Sequence, residues 1–205
     1  MHEKYDGIIF DMDGTLWDSA ENVARAWNEA VGRDMFTERD IKSVMGLTMT
    51  TIAERLFPNE PEEKRQEFLD RCCECENKYL RAHGGRLFPD TVSTLETLSK
   101  SYPLFIVSNC QAGYIEAFLE FYKLEEMFAD RLCWGDDHLE KSDNIRLIME
   151  RNSLKKALYV GDTQGDCDSA YKAGAEFAHA AYGFGTADRC EFRLEAISEL
   201  IDRLC

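Results

Sequence analysis

Three short apolar runs, each ending on a residue that can do chemistry, constrain this chain of 205 residues more than anything else in it. Tyr5-Asp6-Gly7-Ile8-Ile9-Phe10-Asp11 runs into an acidic loop, Pro103-Leu104-Phe105-Ile106-Val107-Ser108 ends on a hydroxyl, and Ala157-Leu158-Tyr159-Val160-Gly161-Asp162 ends on a second carboxylate. Continuous apolar runs of this length, closed by glycine or polar residues, read as strands buried on both faces. Glu176-Phe177-Ala178-His179-Ala180 is a weaker fourth. Helical patterns separate them, over residues 91–100, 112–122, 143–152 and 166–173, the last closed by Gly174, and a final helix is expected over 192–204. Ser142 or Asp143 is the expected cap of the third of these. Strands alternating with helices predict parallel pairing through crossovers, that is, an α/β fold with a Rossmann-like three-layer sheet. In such sheets ligands bind at the carboxyl ends of the strands, where Asp11, Ser108 and Asp162 fall.

One stretch breaks the alternation. Residues 17–86 show no strand, only helical patterns over 19–31, 37–45, 48–57 and 61–83, with Thr37 and Asp40 spaced as a capping box. The expected division is a core made of residues 1–16 and 87–205, with 17–86 inserted as an all-helical cap over the carboxyl edge of the sheet. Gly84 and Gly85 offer hinge or turn material at its exit.

Composition narrows the function. The chain carries 24 Lys plus Arg against 39 Asp plus Glu, a formal charge of −15. That excess of acid argues against nucleic acid, whose affinity comes from clustered basic residues. No run approaches the roughly 20 apolar residues of a membrane helix, and the first six residues lack a secretory pattern, so a cytoplasmic protein is expected. The eight cysteines then read as reduced thiols. Cys72, Cys73 and Cys75 with His83 are zinc-ligand types, but they lie in one helical stretch rather than in paired CxxC knuckles.

Asp11-Met12-Asp13-Gly14-Thr15 taken alone is ambiguous, since acids two apart before a glycine also occur in calcium loops. An EF-hand loop would need glycine sixth and Glu twelfth, whereas glycine is fourth and Asn22 twelfth here. The ordered set is more informative. Asp11-x-Asp13-Gly14-Thr15, then Ser108-Asn109, then Lys141, then Gly161-Asp162-x-x-x-Asp166 resembles the four motifs of the haloacid dehalogenase-like superfamily. The position of the insert, with Gly46-Leu47 inside it, resembles the helical cap of the phosphoglycolate phosphatase and beta-phosphoglucomutase branch.

The resemblance implies an Mg2+-dependent phosphatase acting on a small phosphorylated metabolite through an aspartyl phosphate, with phosphoglycolate or a sugar phosphate as first expectations. It implies Asp11 as nucleophile and Asp13 as general acid and base. Asp11, the Asp13 carbonyl and Asp162 are the implied Mg2+ ligands, with Asp166 as a further ligand or support. Ser108, Asn109 and Lys141 hold the phosphoryl group, and Gly46 approaches the substrate from the cap. The residue-level alternative for Lys141 is a solvated lysine in a first helical turn. The pair Asp13 and Asp162 counts against a dehalogenase, which needs neither metal nor general acid. Gly161-Asp162 with Asp166 favours a phosphatase over a phosphomutase, whose fourth motif resembles Glu-Asp. Lys42, Lys64 and Lys78 offer no context for the imine-forming lysine of a phosphonatase. A catalytically silent binding protein on the same fold is the alternative from another class. The chain is expected to act as a monomer or weak homodimer, with no nucleic-acid or membrane partner. Arg25, Arg55, Arg81 and Arg86 are candidate contacts for an anionic substrate, each more readily explained as a surface or ion-paired residue.

Overall fold

The computed structural model describes residues 5–205, so residues 1–4 of the expected core segment lie outside the described residues. In chain order the elements are β1 (Gly7–Phe10), β2 (Trp17–Asp18), α1 (Ala20–Val31), α2 (Glu38–Lys42), α3 (Met49–Leu56), α4 (Glu62–His83), β3 (Arg86–Leu87), α5 (Thr91–Leu98), β4 (Leu104–Ser108) and α6 (Tyr114–Tyr122). There follow a 3-10 turn (Glu125–Met127), β5 (Asp130–Cys133), α7 (Trp134–Asp137), α8 (Lys141–Arg151), β6 (Ala157–Gly161), α9 (Gln164–Ala173), β7 (Glu176–Ala180), β8 (Phe192–Leu194) and α10 (Glu199–Leu204).

Six strands form one parallel sheet in the order β5-β4-β1-β6-β7-β8, with Phe10 level with both Ile106 and Val160. Each strand end expected to carry chemistry therefore sits side by side at one edge: β1 is central and β4 and β6 flank it. The pleat divides the apolar residues between two layers. Ile9, Phe105, Val107 and Tyr159 pack on Ile145 and Ile148 of α8 and Ala170 of α9. Ile8, Phe10, Ile106 and Val160 join Leu95, Leu98, Ile115 and Leu200 on the other side. Helices on both faces make the three layers that the sequence predicts.

The helical insert contains α1 to α4, and α4 packs against both α1 and the core helix α6. Two features there depart from the sequence reading. The insert is entered and left through a two-stranded antiparallel ribbon, Trp17 opposite Leu87 and Asp18 opposite Arg86, which two-residue strands are too short to announce by periodicity. Gly84 has φ +66, and a Cβ there would stand 2.3 Å from the Phe121 ring, so the exit glycines answer to close packing as well as to a turn.

Two further expectations are corrected, and one strand goes unpredicted. The run 192–204 is not one helix: Phe192 and Leu194 lie on β8, which extends the sheet beside β7, and only Glu199–Leu204 is helical. Leu194 shares a helical spacing with Ile197, Leu200, Ile201 and Leu204, whereas Phe192, two residues before it, fits the period of a strand. Strand β5 has no signal in the sequence, because Asp-Arg-Leu-Cys at a sheet edge shows no continuous apolar run. Helix α8 begins at Lys141 with Glu140 as its N-cap and no side-chain cap, so neither Ser142 nor Asp143 caps it; Ser142 is buried inside the first turn. The Thr37–Asp40 capping box is present. All eight cysteines are free thiols.

Candidate active site

The site is built where the three central strands end. Asp11 leaves β1 with its N–H still bonded to the Val160 carbonyl at 2.9 Å, which holds the residue at the strand tip. Thr163 caps α9 and forms a capping box with Asp166: its N–H and Oγ1 donate to Asp166 Oδ2 at 3.0 and 2.7 Å. That aims the other Asp166 oxygen back toward β1. Lys141, first residue of α8, is 5% exposed, and its Nζ donates to Asp11 Oδ1 at 2.8 Å and Asp166 Oδ1 at 2.6 Å. The solvated-lysine alternative is thereby overturned.

Carboxylate oxygens of Asp11, Asp162 and Asp166 all lie within 4.8 Å of one another, the one group of three or more potential metal-ligating side chains among the described residues. Neither the cysteines nor His83 take part in such a group there. Asp162 Oδ2 accepts from the N–H groups of Phe184 at 2.7 Å and Gly185 at 3.1 Å, so the Tyr182–Gly185 turn is part of the site. Asp162 Oδ1 is buried and has no hydrogen-bond partner among the described residues. Three buried carboxylates against one ammonium leave two negative charges unbalanced, and burying unpaired charge is costly. A divalent cation with oxygen ligands fits this donor set in charge and chemistry.

The electrostatics follow from that imbalance. Burial pushes the Asp11 carboxyl well above its ordinary value, against the pull of Lys141. Burial and the neighbouring Asp166 push Asp162 up to about 7. Asp166 is buried too, yet the Lys141 charge and its hydrogen bonds hold it below the usual carboxyl range. Burial pulls the Lys141 ammonium down, but Asp11 and Asp166 outweigh it and hold the group well above its ordinary value.

Asp13 sits apart from the triad. Its Oδ1 accepts from Ser19 Oγ at 2.8 Å and Tyr114 OH at 2.6 Å. Burial raises its carboxyl to about 6, with those two hydrogen bonds holding it back. A carboxyl poised there can both give and take a proton near neutral pH. Gly14 has φ +83, and a Cβ on it would stand 2.3 Å from Asp162 Oδ2. Gly14→Ala should therefore displace the Asp162 carboxylate and strain the turn, lowering stability by about 1–3 kcal/mol and weakening any divalent cation held by Asp162. A melting curve and a magnesium titration of the variant check both.

Beside Asp11 lies a cavity of about 50 Å3 lined by Asp13, Ser108, Asn109, Gly46 and Glu76, with Cys110, Gln111 and Tyr114 of the core and apolar side chains of the insert completing the wall. Ligand pockets run to roughly 300–1,000 Å3, so this cavity is small beside them. Asn109 Nδ2 donates to the Gly46 carbonyl at 2.9 Å, a direct bond between the second motif and the insert. Trp27 both packs the insert and lines the cavity, whereas Trp17 only packs, against Tyr114, Phe118 and Tyr122. Arg25, Arg81 and Arg86 are ion-paired with Glu21, Glu120 and Asp18, and none of the four candidate arginines lines the cavity.

Sequence reasoning misses Glu76, Tyr114 and Ser19. Glu76 has a signal: it occupies the buried stripe Leu69, Cys72, Glu76, Leu80 of α4, and an acid in an apolar stripe at helical spacing is anomalous. It accepts from Trp27 Nε1 and, at 3.0 Å, from Gln111 Nε2. Burial pushes its carboxyl from an ordinary 4.5 to about 7. A raised acid favours the protonated native state, so the stability this group contributes is full below about 4.5 and lost as pH rises through about 7. Glu76→Gln should then be more stable than the parent by roughly 3 kcal/mol above that range and about equal to it below. Denaturant titrations on either side of the window check the sign.

Comparison with known proteins places the chain in one family. A phosphoglycolate phosphatase of Aquifex aeolicus is 28% identical over 186 residues, 86% of this chain and 85% of that protein. Another, of Vibrio parahaemolyticus, is 27% identical over 95% of this chain and 94% of its own. Among solved structures, a haloacid dehalogenase-like family hydrolase of Streptococcus pneumoniae superposes with TM-score 0.80 at 21% identity over 98% of this chain and 99% of its own. A predicted phosphoglycolate phosphatase of Haemophilus somnus reaches 0.86 at 20% identity, covering both chains completely. These two show the same fold. The profile of the haloacid dehalogenase-like hydrolases matches residues 8–180, a span that runs from β1 through every one of the four motifs, and the chain belongs to that family.

Proposed function

We propose that this protein is an Mg2+-dependent phosphatase that hydrolyses a small phosphomonoester through an aspartyl phosphate on Asp11, with residues 17–86 serving as a cap over the core formed by 1–16 and 87–205. The observation that carries the reading is the pairing of two differently tuned carboxyls at one strand tip. Asp11 is clamped by Lys141 at 2.8 Å, while Asp13 is held two residues on with its carboxyl near 6.

In the proposed reaction an Asp11 oxygen attacks phosphorus as the bond to the leaving oxygen breaks. Asp13 supplies the proton that the leaving alkoxide needs. Water then attacks the phosphorus of the acyl phosphate and loses its proton to Asp13, and the phosphorus–Asp11 bond breaks to free inorganic phosphate and the carboxylate. Lys141, the Ser108 hydroxyl and the Asn109 amide hold the phosphoryl oxygens. Asp11, the Asp13 carbonyl and Asp162 through its unpartnered Oδ1 would hold Mg2+, with Asp166 fixing Lys141 beside them. The metal supplies charge stabilisation for the transferring group.

The cavity as it stands is too small for a phosphoryl group and its alcohol together, so we propose that the cap opens for entry and that the Asn109–Gly46 bond marks closure. Relatives named phosphoglycolate phosphatase support a phosphatase acting on a metabolite of this size. No helix among the described residues is long and apolar enough to cross a membrane, and we propose action in the cytoplasm as a monomer or weak homodimer. Purified protein should release phosphate from an aryl phosphate with magnesium and not without it. Inactivity across a broad panel of phosphometabolites would overturn the reading.

A further inference from the structure

The wall of the cavity is chemically lopsided. The insert contributes Val23, Trp27, Ile41, Val44, Met49 and Ile52, and its one charged contribution among the described residues is Glu76. No described Lys, Arg or His lines this cavity; Lys42 lines the neighbouring one, which shares Asp13 and Met45, and is paired with Asp18 and Glu38, while Lys141, paired with Asp11 and Asp166, serves the phosphoryl end. An alcohol part bearing a carboxylate would thus enter a space with Asp13 and Glu76 in its walls and no unpaired cation among the described residues to receive it.

Glu76 is 4% exposed, and the two hydrogen-bond donors that reach it, the Trp27 indole and the Gln111 amide, are both neutral. A carboxylate has about four acceptor sites, so two donors leave it able to take more. A buried carboxylate without a cation is expensive, and a leucine would continue the stripe of Leu69, Cys72 and Leu80 at less cost. The missing countercharge is the feature to be explained.

We propose that Glu76 is the specificity residue of this site and that the cavity takes phosphomonoesters whose short, largely apolar alcohol part carries a protonated amine, which Glu76 receives. This rests on the phosphatase reading above. In the cavity widened by cap movement, the substrate then lies with its phosphoryl group at Asp11 and Lys141, its methylenes against the apolar wall and its ammonium at Glu76. Burial holds the empty Glu76 carboxyl near its midpoint at neutral pH, and the arriving cation draws it to the ionised form.

The test uses the purified full chain with magnesium and three two-carbon esters of matched size: O-phosphoethanolamine, ethylene glycol monophosphate and phosphoglycolate, which end in ammonium, hydroxyl and carboxylate. Para-nitrophenyl phosphate reports separately on the phosphatase machinery. The expected kcat/KM order is amine, hydroxyl, carboxylate, with about 10- to 100-fold between the first and last, the range of one hydrogen bond to a charged group. Glu76→Gln should collapse the amine-to-carboxylate ratio to within a few fold. The ratio cancels any general loss of activity, and Glu76→Leu, judged by the same ratio, serves if the glutamine variant folds poorly. Turnover of the aryl phosphate with phosphoglycolate equal to or better than the amine ester overturns the proposal. So does aryl turnover with none of the three esters used, or an unchanged ratio in the folded variant. Absence of all turnover, aryl phosphate included, overturns the phosphatase reading and this proposal with it, which keeps the two failures apart.

Discussion

Asp11→Asn should abolish phosphate release, by at least about 10³-fold in kcat, while leaving the fold no less stable than before. The amide is isosteric but has no nucleophilic oxygen anion, so the covalent step has no other route. The stability half of the expectation is the sharper. Asp11 is 2% exposed and its carboxyl is pushed well up by burial, so without metal it is a cost to the native state. Replacing it removes one of three crowded carboxylates and leaves Lys141 its 2.6 Å bond to Asp166. An inactive Asp11→Asn that melts at or above the parent temperature separates lost chemistry from lost structure. A variant that keeps a tenth of parental activity would contradict the assignment of the nucleophile.

Magnesium should stabilise the protein, and by more at higher pH. Asp162 is raised from an ordinary 3.8 to about 7, and Asp11 is raised with it. Stability from these raised acids is full below about 3.8 and lost as pH rises through about 7, where the native state must ionise them without a counterion. A divalent cation supplies that counterion, so its binding is strongest where the metal-free protein is weakest. At a hundred times its dissociation constant a ligand adds about 2.7 kcal/mol, which for a chain of this size is a rise of roughly 5–10 °C in melting temperature. Asp162→Asn should lose most of that rise together with activity, because Oδ1 of Asp162 is the buried oxygen of the triad left without a partner. Melting curves with and without magnesium, above and below neutrality, check the pH trend. A shift that is equal at every pH, or undiminished in Asp162→Asn, would count against this metal site.

What can be read from the sequence is what strand and helix periods control. Asp11, Ser108 and Asp162 are visible as sites because each ends an apolar run, and adjacent parallel strands bring such ends together whatever the loops do. Lys141 and Asp166 can be placed by motif, but their bond cannot, since it depends on how α8 and α9 meet across one sheet face. Glu76 is hidden for a related reason. Whether an acid on α4 meets solvent or Trp27 and Gln111 is decided by the packing of α4 against α1 and the loop that follows β4, and its one trace in the sequence is its place in line with Leu69, Cys72 and Leu80. The boundary at β8 fails because Leu194 falls in helical register with Ile197, Leu200, Ile201 and Leu204, and the edge of β7, which pairs with Phe192–Leu194, is what draws it into the sheet. Tyr114 reads as part of a helix; its hydroxyl reaches Asp13 only through the tertiary fold.

The central claim is that the phosphoryl group passes through Asp11. Mixing the magnesium-loaded enzyme with a radiolabelled phosphomonoester, quenching in acid within a turnover and mapping the labelled peptide tests it directly. The account predicts label on the peptide that contains Asp11, discharged by hydroxylamine as an acyl phosphate is, and none in Asp11→Asn. Steady turnover with label on a different residue would contradict it.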